Sequence, residues 1–207
     1  MAAGDTDVKV CAHALLLLGE NEISSFSEGT TQAGICEALF PQIRDQTLSM
    51  YPWSFSLKKV QLAESAGTDP VNEWQNSFPM PSDSLTGVPR ALFNSALAGA
   101  SPLARGWEML GSDIVTDYET VVIDYQFRPL EAEMPTYFIQ LLKYVMAAHL
   151  AEPITDQITK AQHWLQVSYG LPMEGGRGGA FRQAASTDGM GEPSSMFLEY
   201  PLTDVRH

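Results

Sequence analysis

The sequence predicts an α+β fold: a bundle of about four helices, with a small, mostly antiparallel β-sheet inserted between the helix pairs and an extended C-terminal tail. Apolar residues recur every three or four positions near the start of the chain and again after residue 134. Over residues 53–127 apolar and polar residues alternate instead, as in half-buried strands. We therefore expect one domain over residues 1–170 and a flexible or partner-ordered segment over residues 171–207.

The first helix pair is predicted at residues 5–18 and 31–51. Residues that can accept hydrogen bonds at the two helix starts are Asp5, Thr6, Thr30 and Thr31. Gly19 closes the first helix, and Pro52 stops the second. The apolar face of the second helix is predicted to consist of Ile35, Leu39, Ile43, Gln46 and Met50.

Residues 53–127 are predicted to hold three to five strands. A strand begins where Trp53, Phe55 and Leu57 alternate with serines, and it continues towards residue 62. A loop over residues 63–73 separates it from an extended segment that contains Trp74 and Phe78. The segment 84–106 is predicted to be less regular, with an exposed loop at its Ala/Ser/Gly-rich stretch, residues 94–101. Further strands start at Trp107 and, after a Gly111-Ser112 turn, at Val121, with Val122, Asp124 and Gln126 on the outer face.

The second helix pair is predicted at residues 135–151 and 155–169. Pro135 suits a first helical position, and the helix is expected to end near Glu152-Pro153. Thr155 or Asp156 is the expected cap of the following helix. The apolar stripe of that helix is predicted to consist of Ile158, Ala161, Leu165 and Tyr169.

The segment Gly175-Gly176-Arg177-Gly178-Gly179 lacks the Gly-Lys-Ser/Thr ending of a phosphate-binding loop, and no strand precedes it. It is interpreted as a flexible joint, with a peptide that orders on a neighbouring subunit as the alternative. A further helix could resume at Ala180, Ala184 and Ala185.

Acidic residues dominate the charge of the chain. Twelve Lys and Arg residues stand against twenty-five Asp and Glu residues, a formal net charge of −13. Such a chain repels phosphate backbones, so a sequence-reading DNA-binding protein is excluded as an interpretation. The charge is explained by solubility, or by a surface past which DNA must move without sticking.

No apolar run approaches the roughly 20 residues of a membrane span. Asp5 and Asp7 stand where an export signal would carry basic residues, which favours synthesis in the cytoplasm. Cys11 and Cys36 both lie in apolar helical patterns, and we expect two buried thiols rather than a disulfide.

Candidate catalytic and metal-binding residues all have simpler interpretations. His149 and Glu152 lie three apart on a helix, but Asp156 and His163, which could complete a metal site, are far from each other on the next helix. Negative charge at a helix start explains the acid–base candidates Glu131 and Glu133. Cys36 lacks a cationic setting and is interpreted as core. No catalytic residue, cofactor or metal ligand is therefore predicted.

Three tryptophans, Trp53, Trp74 and Trp107, lie in strand-like segments. Packing in the core and anchoring of an interface both explain such residues. The sequence leaves the two roles open.

Several short segments, taken in order, resemble the head-to-tail adaptor (connector) proteins of tailed bacteriophages, and most closely the tail tubular protein A family. They are Leu16-Leu17-Leu18-Gly19, Ile23-Ser24-Ser25-Phe26, Tyr51-Pro52-Trp53-Ser54-Phe55, Pro81-Ser82-Asp83, Met134-Pro135-x-x-Phe138 and Leu150-Ala151-x-Pro153-Ile154-Thr155. The resemblance covers most of the chain. It departs from the family where Leu171-Pro172 and the glycines interrupt the last helix.

The resemblance implies a structural virion protein at the head–tail junction, made in the cytoplasm of the host bacterium. It implies a ring, usually of twelve copies, between the portal protein and a downstream tail or nozzle protein. Double-stranded DNA would pass through the ring during packaging and ejection without sequence-specific binding, and we expect the channel wall to be acidic. The alternatives are another head-closure or tail-completion protein and, less well supported, a small soluble enzyme.

Overall fold

The computed structural model describes residues 5–65, 73–97 and 100–191. Within these ranges the chain has an α+β fold of five helices and two three-stranded sheets, which confirms the predicted class. The helices are α1 (Asp7–Leu18), α2 (Thr31–Ser49), α3 (Thr136–Thr155), α4 (Ile158–Tyr169) and α5 (Gly179–Gly189). The strands are β1 (Leu57–Gln61), β2 (Asn76–Pro79), β3 (Ala91–Phe93), β4 (Trp107–Leu110), β5 (Asp113–Thr116) and β6 (Val122–Gln126).

The first two helices use predicted caps, although α1 starts at Asp7 rather than residue 5 and α2 ends at Ser49 rather than residue 51. The Thr6 hydroxyl accepts from the backbone N–H of Lys9, and the Thr30 hydroxyl accepts from that of Ala33, so each satisfies a free donor at a helix start. Gly19 ends α1 with φ 82°, a left-handed conformation that glycine adopts without strain.

The buried face of α2 differs from the predicted one. Gln46 is exposed, whereas Phe40, Thr47 and Leu48 are buried. Thr47 tolerates burial because its hydroxyl donates to the carbonyl oxygen of Ile43. This face packs with α1 and α3 in a helical core. No helix in the described part of the chain is long and apolar enough to cross a membrane.

The β region, which lies between α2 and α3, consists of two antiparallel sheets with the strand orders β1-β6-β3 and β2-β5-β4. β6 is the central strand of the first sheet; Lys58 of β1 lies opposite its Tyr125. The prediction that Val122 and Gln126 face outward is wrong, since both are buried. Gln126 is buried because its amide donates to the backbone oxygens of Leu48 and Tyr51 at the end of α2.

The first predicted strand is partly wrong. Residues 54–56 form a single turn of 3-10 helix rather than a strand, and β1 starts only at Leu57. The less regular segment 84–106 contributes β3, in which Leu92 and Phe93 are buried, and the described residues of its predicted loop over 94–101 lie in no helix or strand. Most of the predicted loop over residues 63–73 lies outside the described residues.

The second helix pair departs from the prediction at its connection. α3 continues through Pro153 to Thr155, since a proline in the last turn gives up only one helical hydrogen bond. Thr155 therefore does not cap α4; its hydroxyl donates to the carbonyl oxygen of Ala151. Asp156 ends α3 in the left-handed conformation with φ 53°. Gln157, which forms no side-chain cap, precedes α4.

The domain was predicted to end at residue 170, but α5 extends the packed part of the chain beyond that residue. Phe181 and Ala184 of this helix are buried in the same core as α1, α2 and α3. Residues 179–189 are therefore packed against the helical core of the same chain. The predicted extended tail over residues 192–207 lies outside the described residues.

A cluster of aromatic rings joins the helices to the start of the β region. The fully buried Trp53 ring lies 4.9 Å from that of Tyr51, 5.0 Å from that of Phe138 and 5.7 Å from that of Phe181, measured between ring centroids. Its indole N–H donates to the carbonyl oxygen of Thr47 at 3.3 Å. Trp53 therefore contacts α2, α3 and α5 at once.

Replacing Trp53 by alanine is expected to lower the free energy of unfolding by about 3–5 kcal/mol, because the large cavity opens between three helices. Urea denaturation followed by circular dichroism measures this loss. Leu97→Ala is the matched control, since Leu97 is 79% exposed. A loss no larger than that of the control would show that the cluster does not hold the helices together.

Candidate functional site

A polar cluster surrounds the buried residue Asp188, near the end of α5. Its carboxylate, 6% exposed, accepts from the backbone N–H of Ser54 at 2.8 Å, from the Ser54 hydroxyl at 2.7 Å and from the hydroxyl of Tyr137. Burial, together with the neighbouring Asp188 carboxylate, raises the pKa of Tyr137 above its ordinary value. The Asp188 cluster thus links α5, the start of the β region and α3.

A serine, a tyrosine and an aspartate in contact raise the question of nucleophilic catalysis. A nucleophilic serine needs a base that removes its proton while the oxygen faces a substrate. Here the Ser54 and Tyr137 hydroxyls both donate to one carboxylate, which also caps the 3-10 turn that starts at Ser54. The arrangement satisfies buried polar groups, so its role is to fix α5 in place.

The predicted acid–base candidate Glu131 takes part in a chain of ion pairs. Arg44 of α2 contacts Glu131 at 2.5 Å and Asp45 at 2.9 Å, and Arg128 contacts Asp45 at 2.7 Å. Glu131 lies in a 3-10 turn before α3 rather than in the first turn of that helix. Glu133, its predicted companion, is exposed. The pair therefore does not come together, and Glu131 serves to join α2 to the segment that leads into α3.

The residues considered as candidate metal ligands are also apart from any cluster. His149 and Glu152 are exposed on α3, and His163 is exposed on α4, where its ring lies against that of Trp164. In residues 5–65, 73–97 and 100–191 no three His, Cys, Asp or Glu side chains are grouped so that they could hold a metal ion.

Both cysteines are free thiols that are fully buried, Cys11 on α1 and Cys36 on α2. A hydrogen bond with Cys36 and burial together raise the pKa of Cys11. A raised pKa keeps the thiol protonated, which suits a core residue and not a nucleophile.

The glycine segment is closely packed at Gly178 and Gly179, which corrects its interpretation as a flexible joint. The backbone N–H of Gly178 donates to the carbonyl oxygen of Tyr169 at 2.8 Å. Glu174 accepts from the backbone N–H of Leu171 and fills the space beside Gly178. A Cβ atom on Gly179, where φ is 52°, would lie 2.5 Å from the carbonyl oxygen of Val167. Glycine is needed here because the backbone of α5 approaches the end of α4 so closely.

Two groups of large apolar side chains are exposed on the helices. The first, here called the α4 surface, runs from α4 into the turn after it and consists of Ile158, Leu165, Leu171 and Met173. Their exposed fractions are 59%, 47%, 49% and 94%. A groove of about 580 Å³ beside it is lined by Leu165, Tyr169, Leu171 and Pro172 among others. The second, the α1 surface, consists of Leu16 and Leu17.

The sequence pattern pointed only partly to these features. Of the predicted stripe of α4, Ala161 and Tyr169 pack against the core, as does Trp164, whereas Ile158 and Leu165 are exposed. Of the other three tryptophans, Trp53 is fully buried, and Trp74 and Trp107 are partly buried; the indole N–H of Trp107 donates to the carbonyl oxygen of Leu103. No sequence signal identified Asp188, because its partners lie 51 and 134 residues away.

No protein-family model matches the chain, and a search of curated proteins found no match to it. Its function must therefore be inferred from its residues and their contacts.

Asp188→Ala is expected to lower the free energy of unfolding by about 1–3 kcal/mol, because the backbone N–H and hydroxyl of Ser54 and the hydroxyl of Tyr137 lose their acceptor. A double-mutant cycle with Tyr137→Phe, measured by urea denaturation, should show coupling between the two residues. The control is Glu133→Gln, which changes an exposed carboxylate. Additive effects of the two substitutions would contradict a shared hydrogen bond.

A second prediction concerns Tyr125, whose hydroxyl donates to Asp83 at 2.9 Å beside the Lys58–Asp83 ion pair. Burial and Asp83 raise the pKa of Tyr125 from 10 to about 12. A raised folded-state pKa stabilises the fold below pH 10, and this contribution is lost as the pH rises through about 12.

Alkaline titration followed by tyrosinate absorbance should therefore show a late ionisation step of Tyr125 that is lost in Tyr125→Phe, beside those of Tyr137 and Tyr169, whose pKa values are also raised. Asp83→Asn should shift that late step to lower pH, but only in part, because burial is the larger cause. Glu108→Gln, at an exposed position of β4, is the control. An unchanged titration in Tyr125→Phe would overturn the assignment.

Proposed function

We propose that this chain is a structural virion protein, one subunit of the head-to-tail adaptor ring of a tailed bacteriophage. The ring, of about twelve copies, would dock beneath the portal protein and carry a tail or nozzle protein on its other side. The proposal rests first on the ordered landmarks shared with the tail tubular protein A family. In the fold, one of these landmarks, Tyr51-Pro52-Trp53-Ser54-Phe55, contributes rings to the aromatic cluster and Ser54 to the Asp188 cluster.

The single structural observation that supports the proposal best is the exposed α4 surface. A side chain such as Met173, 94% exposed, gains nothing from the fold of its own chain. Clusters of exposed large apolar side chains are typical of surfaces that contact other proteins. Together with the α1 surface, this supports a subunit that makes contacts at more than one place, as every member of a ring does.

The charge of the chain suits passage of DNA. Each copy carries a formal charge of −13, so a ring of such copies repels a duplex instead of holding it. Under this proposal the duplex slides past an acidic wall during packaging and ejection. A protein with this charge can lie next to DNA without binding it specifically.

Electron microscopy of the purified chain mixed with its portal protein tests the proposal. Rings seated on the portal are expected, and inside particles the density should lie at the junction of head and tail. His149→Ala and His163→Ala, at exposed positions, should assemble like the wild type, as should Cys36→Ala in the core. Density elsewhere in the particle, or failure to bind the portal, would contradict the adaptor role and favour another head-closure or tail-completion protein.

A further inference from the structure

A groove that contains two arginines lies between α5 and the end of α2. Its volume is about 470 Å³, and it is here called the α5 groove. Met50, Tyr51 and Pro52 line it on the side of α2. The other lining residues belong to α5 and the turn before it, and they are Arg177, Phe181, Arg182, Ala185 and Ser186. The α5 groove therefore combines apolar side chains with two exposed cations.

The two arginines of the α5 groove have no carboxylate partner in the described part of the chain. No Asp or Glu is among the described residues that line the groove. Two carboxylates near it in the sequence are engaged elsewhere: Glu174 accepts from the backbone N–H of Leu171, and Asp188 accepts from Ser54 and Tyr137. The groove thus suits a segment that supplies apolar side chains together with negative charge.

The sequence contains such a segment shortly after α5. Residues 192–204 carry three carboxylates, at Glu192, Glu199 and Asp204, and no Lys, Arg or His. In Phe197-Leu198-Glu199-Tyr200 the middle carboxylate stands among large apolar side chains. Residues 197–200 therefore match the groove in both respects, apolar character and charge.

These residues can reach the groove of their own chain. Gly191, the last described residue, lies two positions after the end of α5. Phe197 follows six positions later, which an extended chain spans with up to about 20 Å. Arg182 precedes Gly191 by nine positions, or about 14 Å along a helix. A segment joined to its site by so few residues has an effective concentration in the millimolar range, which favours it over the same segment of a second copy.

We propose that residues 197–200 dock in the α5 groove of their own chain. The apolar side chains of the segment cover Tyr51 and Pro52, and Glu199 lies beside the two arginines. Docking removes apolar surface from water, and charge-assisted hydrogen bonds orient the segment. The contact lies within one chain, so it does not depend on the proposed adaptor role.

Digestion of the full-length protein by chymotrypsin tests the proposal, with mass spectrometry following cleavage of the bond after Phe197. The protease cuts this bond only while the segment is undocked, so the rate reports the undocked fraction. The groove variant carries Arg177→Glu and Arg182→Glu. Its bond should be cut at least about fivefold faster than that of the wild type, because exposed ion pairs give way to repulsion between like charges.

The matched control variant carries Arg90→Glu and Arg105→Glu. Both arginines are exposed, do not line the α5 groove and form no ion pair within the described ranges. The control variant has the same net charge as the groove variant, and it should be cut at the rate of the wild type. Thermal unfolding followed by circular dichroism should show that both variants are folded.

A charge reversal in the segment makes the test specific for Glu199. Glu199→Arg is introduced into the wild type and into the groove variant, and the two products are compared with each other, so that the altered cleavage site cancels. The order of the rates should reverse: the chain with two glutamates in the groove should now be cut more slowly than the chain with two arginines.

Equal cleavage of the wild type and the groove variant, equal acceleration in the control variant, or an unreversed order with Glu199→Arg would overturn the proposal. Faster cleavage of the wild type on dilution at constant protease would also overturn it, because the groove would then hold the segment of a second copy. None of these measurements involves a portal protein. Docking without portal-bound rings would refute the adaptor role alone, and rings without docking would refute this contact alone.

Discussion

The packing of Trp53 is the constraint on which the rest of the structure depends. Trp53 is fully buried where α2 has just ended and the β region begins, and its neighbours come from α2, α3 and α5. Because the large Trp53 side chain fills this position, its packing fixes how the β region follows α2 and how α3 and α5 pack against the end of α2. The exposed surfaces of α1 and α4 are oriented by helices that this packing holds.

Polar contacts select one packing arrangement at the junction between the helical core and the β region. Dispersion and burial favour many ways of packing aromatic rings, but a buried carboxylate or amide stabilises only the arrangement in which its partners are all present. Asp188 meets Ser54 and Tyr137, and Gln126 meets Leu48, Tyr51 and Ser56. Both residues join segments that are distant in the sequence, and both would be costly to bury in any other arrangement.

The elements that periodicity and caps define were predictable from the sequence, and those that depend on distant partners were not. Thr6, Thr30 and Gly19 act within one turn of their helices, so their roles can be read locally. Gln126 looked exposed by alternation, and only the end of α2 explains its burial. The glycines near residue 178 suggested flexibility because Glu174 and Tyr169, which fix them, cannot be placed by pattern. The exposure of the leucines of α1 and α4 was equally unpredictable, because an apolar stripe in a sequence does not show which of its residues face the solvent.

The position of α5 in the sequence has a consequence for synthesis. Phe181 and Asp188, which complete the junction around Trp53, are translated after all the other helices of the described chain. Until they emerge from the ribosome, the indole of Trp53 lacks one of its walls and Ser54 lacks its acceptor. A truncated product would thus expose apolar surface of the kind that chaperones and proteases recognise.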